Sequence, residues 1–423
     1  MPGCCRGLNP IYLIFTCILS VLYIWTLYSV PIVVVGAKHL RRACQSLRKA
    51  PRLKEDKLPT VSIIVPVKNE ERVVGRLLNA LLSLDYPPEK KEIIVVDDGS
   101  VDRTVEICEK YVKRNPTHVR MLHKSVSNGK PAALNHALKH AKGDIIVTFD
   151  ADNVPGSDVL LEAVRYFEDP SVAGVQGTVC AINADENMLT KFIAYEEAVR
   201  FEAYIRGKDV LRLFVNLAGT CQFIRRDVLE EVGGWNEESL TEDMEVSVRL
   251  MERGYKIRYA PEARSWQEHP AKLRQLLGQR IRWCRGNMEI AWRYGKLVTK
   301  LNRRSVDAEV TLAGPYMLAF CLLGYLMTLC TLLFPVQPDP FFTMITQVTS
   351  LLTIIPLFFI GLALVYTTKP RKVANLLWLP FIYAYWALET FIASYALIQI
   401  LLKRSRRWTQ TVKTGAITNR NLI

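Results

Sequence analysis

The sequence has no CxxC pair and no histidine–cysteine spacing of the kind that grips zinc. Its ten cysteines are scattered, so neither a disulfide scaffold nor a zinc module is expected, and free thiols in a reducing compartment or in lipid fit better. No RNA-binding signature or DNA-reading motif is present, which sets nucleic acid aside as a partner. There is no internal repeat and no low-complexity segment. The first apolar run lacks a small-residue cleavage site and a long basic start, so it reads as an anchor and not as a removed signal peptide. Acids are the scarcer charge: 41 Asp and Glu stand against 55 Lys and Arg, for a formal net charge of +14. Such a balance suits an anionic partner, either an acidic membrane surface or a phosphorylated substrate.

What is present divides the chain into units, since 423 residues are too many for one ordinary core. Ile11 to Ala37 is nearly uncharged and long enough to cross a bilayer. Lys38, Arg41, Arg42, Arg48 and Lys49 follow at once, which places this flank on the cytoplasmic side. After a Pro-bounded linker, Val61 to Val67, Glu92 to Val96, Val119 to Leu122 and Ile145 to Phe149 read as strands. Between them, Val73 to Leu82, Asp102 to Lys113 and Pro131 to Ala141 read as helices. That alternation predicts a parallel, Rossmann-like α/β half. From Val172 the pattern is mixed. Met188 to Arg206 reads as a long helix, Phe214 to Ile224 as a strand broken at Gly219, and Gly233-Gly234-Trp235 as a turn. Thr241 is placed to cap a helix running to Glu252. Lys272 to Lys296 is amphipathic and arginine-rich, as one or two helices on a membrane face would be.

Three apolar stretches close the chain: Thr311 to Phe334, Phe342 to Tyr366 and Ala374 to Leu402. If all three crossed, Lys403, Arg404, Arg406 and Arg407 would lie opposite residues 38 to 300, against the charge rule. The last stretch carries Pro380 and Glu389, so an interfacial or re-entrant placement is expected for it. The expected units are therefore an anchor and basic linker (1–57), an α/β domain (58–270), interfacial helices (271–305), C-terminal membrane helices (306–402) and a cytosolic tail (403–423).

Chemistry concentrates in four places. The strand at 145–149 ends on Asp150-Ala151-Asp152, and ligands of open α/β sheets gather beyond the carboxyl ends of the strands. Two carboxylates one residue apart there can hold a hard divalent cation, which commonly bridges a nucleotide diphosphate. Asp97-Asp98-Gly99-Ser100 follows the second strand, Glu242-Asp243 opens a helix, and Gln279, Arg282 and Trp283 share a helix face at i, i+3, i+4. Each place also has an ordinary structural reading. DAD could be an Asx-rich turn before a helix capped by Ser157, and DDGS a turn. TED could be an acidic helix start, and QRIRW a membrane-surface stripe.

In order, VSIIVPVKNE, VVDDGS, NGKPAALN, FDADN, GGWN with TED, and QRIRW resemble the membrane-embedded processive members of glycosyltransferase family 2, such as cellulose, chitin, hyaluronan and poly-N-acetylglucosamine synthases. The resemblance covers roughly Pro59 to Gly286 and the membrane layout. It implies a GT-A fold inserted between transmembrane helices, a nucleotide-sugar donor, expected to be a UDP-sugar, and an inverting transfer with Mg²⁺ or Mn²⁺ at Asp152. Asp243 is the implied base, with Glu242 and Asp152 as its catalytic companions. Pro66, Glu70, Asp97, Asp98, Lys130, Asp150 and Arg282 are the implied nucleotide-sugar residues. Gly219, Thr220, Gln279 and Trp283 are the implied acceptor residues. Trp408-Thr409-Gln410-Thr411 and Lys413 match, loosely, a loop that closes over the donor in those synthases. The acceptor is expected to be a growing polysaccharide; a lipid-linked acceptor is the alternative, and membrane lipid is an expected partner. An inactive scaffold or transporter subunit is disfavoured by the presence of all four motifs.

Overall fold

The computed structural model describes residues 10–46, 53–124, 126–296, 302–333, 372–406, 411 and 413–418, with isolated positions between 340 and 365. Most of the stretch from Phe342 to Tyr366, and Trp408 to Gln410 of the tail motif, lie outside the described residues.

Among the described residues, eight strands form one mixed sheet in the order β3-β2-β1-β4-β7-β6-β8-β5. The first half comprises β1 (Val61–Val67), β2 (Lys91–Asp97), β3 (Val119–His123) and β4 (Ile145–Thr148), all mutually parallel. Ile63, Ile64, Val65, Ile93 to Val96 and Ile146 are fully buried, as continuous apolar strands covered on both faces must be. Helices α2 (Val74–Leu82), α3 (Thr104–Arg114) and α4 (Lys130–Leu138) make the crossovers. The parallel Rossmann-like half is thus as expected. Beyond it come β5 (Val154–Pro155), α5 (Val159–Val164) and β6 (Val172–Ala181). Ser157 does not cap α5: the residue before the helix is Asp158, and Ser157 Oγ donates to Asp85 at 2.9 Å.

The expected long helix is α6 (Met188–Val199), a π turn over Arg200–Ile205, and α7 (Arg206–Val210), so it continues to Val210. The N-terminal helix α1 (Pro10–Ser46) crosses here at very short range. A Cβ on Gly36 would lie 1.8 Å from the carbonyl oxygen of Ala203, and one on Gly207 1.9 Å from that of Ile32. The expected strand at 214–224 is corrected: only β7 (Gln222–Arg225) is strand. Its first eight residues leave the sheet because side chains satisfy their amides. Leu217 N donates to Ser247 Oγ (2.9 Å), Ala218 N to Gln176 Oε1 (2.8 Å) and Gly219 N to Gln222 Oε1 (3.2 Å). Helices α8 (Arg226–Glu231) and α9 (Glu242–Glu252), strand β8 (Lys256–Gln267) and helix α10 (Leu273–Tyr294) follow. The Lys272–Lys296 region is therefore one helix.

Three described helices are long and apolar enough to cross a membrane: Ile14–Leu40 of α1, Arg303–Leu326 of α11 (Arg303–Leu333), and a segment Val373–Leu401 that contains α12 (Leu379–Leu401). A buried ion pair anchors two of them to the sheet domain. Lys208 Nζ lies 3.1 Å from Asp307 Oδ2, and Tyr28 OH donates to Asp307 Oδ1 at 2.7 Å. Asp307→Ala is expected to destabilise the protein by ~3–5 kcal/mol, because Lys208 is left buried and unpaired. Thermal unfolding in detergent checks this, and Lys208→Met with Asp307→Leu should recover most of the loss.

α12 is unbroken, with Pro380 in its first turn. It lies alongside α10 over its length. Leu276 clusters with Ile382 and Tyr385, and Cys284 and Met288 cluster with Ile392, Ala393 and Ala396. Beyond α12, Arg285 donates to the carbonyl oxygens of Arg404 (2.6 Å) and Ser405 (3.2 Å), and Arg406 pairs with Glu289 at 3.1 Å. The basic tail therefore packs against α10.

Candidate active site

The carboxyl ends of β1, β2 and β4 open on one rim. Past β1, Asn69 takes a left-handed backbone (φ 53), a conformation asparagine tolerates. Its side chain accepts from Val101 N at 2.8 Å, tying the β1 and β2 turns together. Glu70 N donates to Thr104 Oγ1 at 2.7 Å. Pro66 is half-buried near the end of β1, opposite Val96. Asp97 Oδ1 accepts from Ser100 N at 3.0 Å. Asp98 is occupied by its own loop: it accepts from Ser127 Oγ (2.6 Å), Gly129 N (3.0 Å), Lys124 Nζ (3.1 Å) and Asn128 N (3.2 Å). Burial alone would raise this carboxyl, but those donors hold it below the usual range. Asp98 is thus the staple that shapes the loop delivering Lys130.

β4 delivers Asp150 and Asp152. Gln267, at the end of β8, spans them, with Nε2 3.1 Å from Asp150 Oδ2 and 3.2 Å from Asp152 Oδ1. Arg76 holds the Asp152 carbonyl at 3.0 Å, and Ser265 holds Asn153 at 2.6 Å. Asp150 N donates to Thr220 Oγ1 at 3.1 Å. Asp152 is only 2% exposed, and the Lys413 ammonium lies 2.5 Å from its Oδ2.

Lys130 joins the two acidic places. Its Nζ lies 2.7 Å from Asp150 Oδ1 and 3.5 Å from Glu242 Oε1, and donates to the Gly219 carbonyl at 2.9 Å. Burial works to lower its pKa, but Asp150 and Glu242 outweigh it, so the amine stays protonated. Gly219 has φ +76, and a Cβ there would sit 3.3 Å from Lys130 Nζ and 3.4 Å from Asp243 Oδ2. Only glycine lets this loop turn so close to both groups. Burial pushes the Asp243 carboxyl up to about 6, and Glu242 adds to the rise. Lys130, the Met244 amide and Arg282 oppose it.

Helix α10 packs against the start of α9 through Gly286, where a Cβ would lie 2.5 Å from Thr241 Oγ1. Thr241 does precede α9, but its side chain makes no capping bond. Arg282 Nη1 donates to the Leu240 carbonyl at 2.9 Å, beside the TED turn. Trp283 is half-buried, on the face of α10 that carries Gly286, and the Arg280 guanidinium stands 4.8 Å from its ring centre. Arg280 is itself gripped by both oxygens of Glu196 (2.9 and 2.7 Å). Glu389 of α12 lies 3.7 Å from Arg280 and is a counter-ion to it. Gln279 sits one turn before Trp283 on α10, half-buried.

The structure thus links Asp150, Asp152, Lys130, Gly219, Thr220, Glu242 and Asp243 in one run of contacts, with α10 against it. Sequence reasoning missed Gln176, Gln267, Glu268 and His269. The last three sit together where an alternating strand ends, the signal that could have found them. Burial, with Lys413 and Arg280, pushes the His269 imidazolium down to about 3, so that ring is neutral.

Comparison with known proteins bears on this arrangement. Residues 59–286, more than half the chain, match the family described as "Glycosyltransferase like family 2". The chain belongs to glycosyltransferase family 2. This glycosyltransferase is 32% identical over 294 residues to a probable glycosyltransferase, YdaM, of Bacillus subtilis, covering 68% of this chain and 69% of that one. It is 34% identical over 235 residues to a β-monoglucosyldiacylglycerol synthase of Synechocystis, covering 55% of this chain and 48% of the relative, so it spans about half that protein's length. It is 31% identical over 249 residues to a poly-β-1,6-N-acetyl-D-glucosamine synthase of Staphylococcus aureus, covering 59% of each. Its fold is that of a mannosyltransferase from Pyrobaculum calidifontis, solved with GDP-Man and Mn²⁺. The TM-score is 0.59 at 19% identity, over 92% of this chain and 100% of that one. The fold is therefore GT-A, the protein is a glycosyltransferase that uses a nucleotide-sugar, and candidate membrane helices flank its catalytic domain.

Proposed function

We propose that the protein transfers a sugar from a UDP-sugar, with inversion, to the growing end of a β-linked polysaccharide at the cytoplasmic face of a membrane. One observation carries this reading: the contact run from Asp152 through Gln267, Asp150 and Lys130 to Glu242, with Asp243 against Gly219 at its end. It supports a reading in which donor and acceptor chemistry meet there.

A divalent cation fits Asp152. The Oδ2 atom is buried, and its neighbour among the described residues is a positive charge, the Lys413 ammonium at 2.5 Å. Among the described residues no three His, Cys, Asp or Glu side chains converge to cage a metal, so phosphate oxygens would supply the rest of its shell, as magnesium sites in nucleotide enzymes commonly arrange. The bound cation would neutralise charge on the departing diphosphate. Lys130 adds a fixed positive charge beside Asp150, where charge develops as the sugar leaves. Asp243 accepts the proton of the acceptor hydroxyl, and its raised pKa makes it a competent base near neutrality. Attack on the anomeric carbon from the face opposite the diphosphate inverts that centre in one displacement.

Trp283 offers the acceptor sugar a flat apolar surface, held by Arg280. Gly219, which Thr220 follows, lies against Asp243. Trp283→Ala is expected to lower acceptor extension more than acceptor-independent donor hydrolysis, by about tenfold, the equivalent of one contact of about 1.4 kcal/mol. Equal loss of both would make Trp283 structural.

A lipid acceptor is the second reading. The likeness to a glucosyldiacylglycerol synthase supports it. So do the exposed apolar residues Phe381, Phe391, Tyr395 and Ile398 on α12. Purified protein incubated with a panel of nucleotide-sugars and Mg²⁺ or Mn²⁺ decides between them. UDP release with a long product supports the polymer, release with one sugar on lipid supports the second reading, and no release from any donor overturns both.

A further inference from the structure

The segment 413–418 is strapped against Glu268, Asp152 and Ile182. Glu268, a carboxylate only 3% exposed, is occupied by it: Thr414 N (2.6 Å) and Thr414 Oγ1 (2.9 Å) donate to Oε1, and Gly415 N (2.9 Å) to Oε2. Further along, Thr418 N donates to the Ile182 carbonyl at 3.1 Å. The strap fixes Lys413, whose Nζ donates to the Glu268 carbonyl at 2.9 Å and lies 2.5 Å from Asp152 Oδ2. Beyond that ammonium, no donor reaches the oxygen among the described residues. A buried carboxylate so placed needs a positive charge beside it. An ammonium group and a divalent cation meet the same need. They cannot both sit in contact with one oxygen, because their mutual repulsion would be severe at that range.

We propose that Lys413 is an internal occupant of the cation site, and that a divalent cation binds Asp152 only by displacing it. Lys413 is tethered by the strap, so it competes at a high effective concentration. The apparent metal affinity of the nucleotide-free enzyme is then the intrinsic affinity reduced by the fraction of molecules in which Lys413 has left. The tail thereby couples metal loading to its own release. This inference rests on the reading of Asp152 as the metal ligand.

The test is Mn²⁺ binding to the full-length protein in detergent, without nucleotide, followed by the electron paramagnetic resonance signal of free Mn²⁺. Lys413→Met keeps the side chain's length and removes its charge. It is expected to bind Mn²⁺ about tenfold more tightly than wild type, as loss of a competitor that holds the site about nine-tenths of the time requires. Glu268→Gln, which weakens the strap and leaves Lys413 in place, should shift affinity the same way by a smaller factor. If either folded variant binds Mn²⁺ no more tightly than wild type, while Asp152→Ala abolishes that binding, the competition is overturned and the metal site stands. If wild type and Lys413→Met both bind Mn²⁺ and Asp152→Ala does not weaken it, the metal assignment has failed.

Discussion

Asp243→Asn is expected to lower sugar transfer by roughly 10²–10⁴-fold, the range a positioned general base contributes. UDP binding should be unchanged, because Asp243 opens α9 across Lys130 from Asp150 and Asp152 and is not part of their Gln267-bridged pair. The pH profile gives the sign. A base works when deprotonated, so wild-type transfer should rise as pH passes through about 6, where burial and Glu242 place the Asp243 carboxyl. The Asn variant should lack that acid limb. Stability runs the other way. A carboxyl whose folded pKa stands above its ordinary 3.8 favours folding only while protonated, and that favour is lost as pH rises through about 6. The Asn variant should therefore be at least as stable as wild type at neutral pH. Retained transfer, or an acid limb that survives the substitution, would remove Asp243 from the role. Glu242 is a poor substitute, since it is 6% exposed and turned toward Lys130.

The legible parts of this chain share a physical cause. Buried parallel strands carry apolar side chains on both faces, so β1, β2 and β4 announced themselves as short continuous runs, and their ends located Asp97 and Asp150. The segment 214–221 looked equally apolar but is not strand. Its amides are satisfied by Gln176 and Ser247, residues 30 or more positions away whose roles no local pattern records. Asp98 was legible as an acid but not as the staple of the loop before Lys130, because four of its partners come from 124–129. Within QRIRW, the Gln279, Arg282 and Trp283 pattern drew the eye, while Arg280 carries the packing: it reaches Glu196, Glu389 and the Trp283 ring. Glu389 then reads as the partner that lets α12 lie on α10. Lys413 had only a loose motif, and its approach to Asp152 is a long-range contact that only the folded chain could reveal.

Removing the Asp152 carboxylate should have the second of the largest effects. In wild type, UDP is expected to bind more tightly with Mn²⁺ than without it, because a cation held by Asp152 would offset the charge of the diphosphate. Asp152→Ala should bind UDP equally in both conditions and transfer sugar at a rate lower by about 10³-fold, the several kcal/mol that Lewis-acid stabilisation of the leaving group supplies. Asp150 cannot take over the place, because Lys130, itself anchored by Glu242 and the Gly219 carbonyl, holds its Oδ1 at 2.7 Å. Nor can Glu268, which the strap at 414–415 occupies. Asp152→Ala also leaves the Lys413 ammonium without its carboxylate, so Asp152→Asn is the cleaner companion. It keeps the shape of the turn and the Arg76 bond to the backbone carbonyl, yet removes the charge the metal requires. Calorimetric titration of both variants with UDP, with and without Mn²⁺, decides the matter, since a metal-dependent gain in affinity that persists in the folded Asn variant would move the cation away from Asp152.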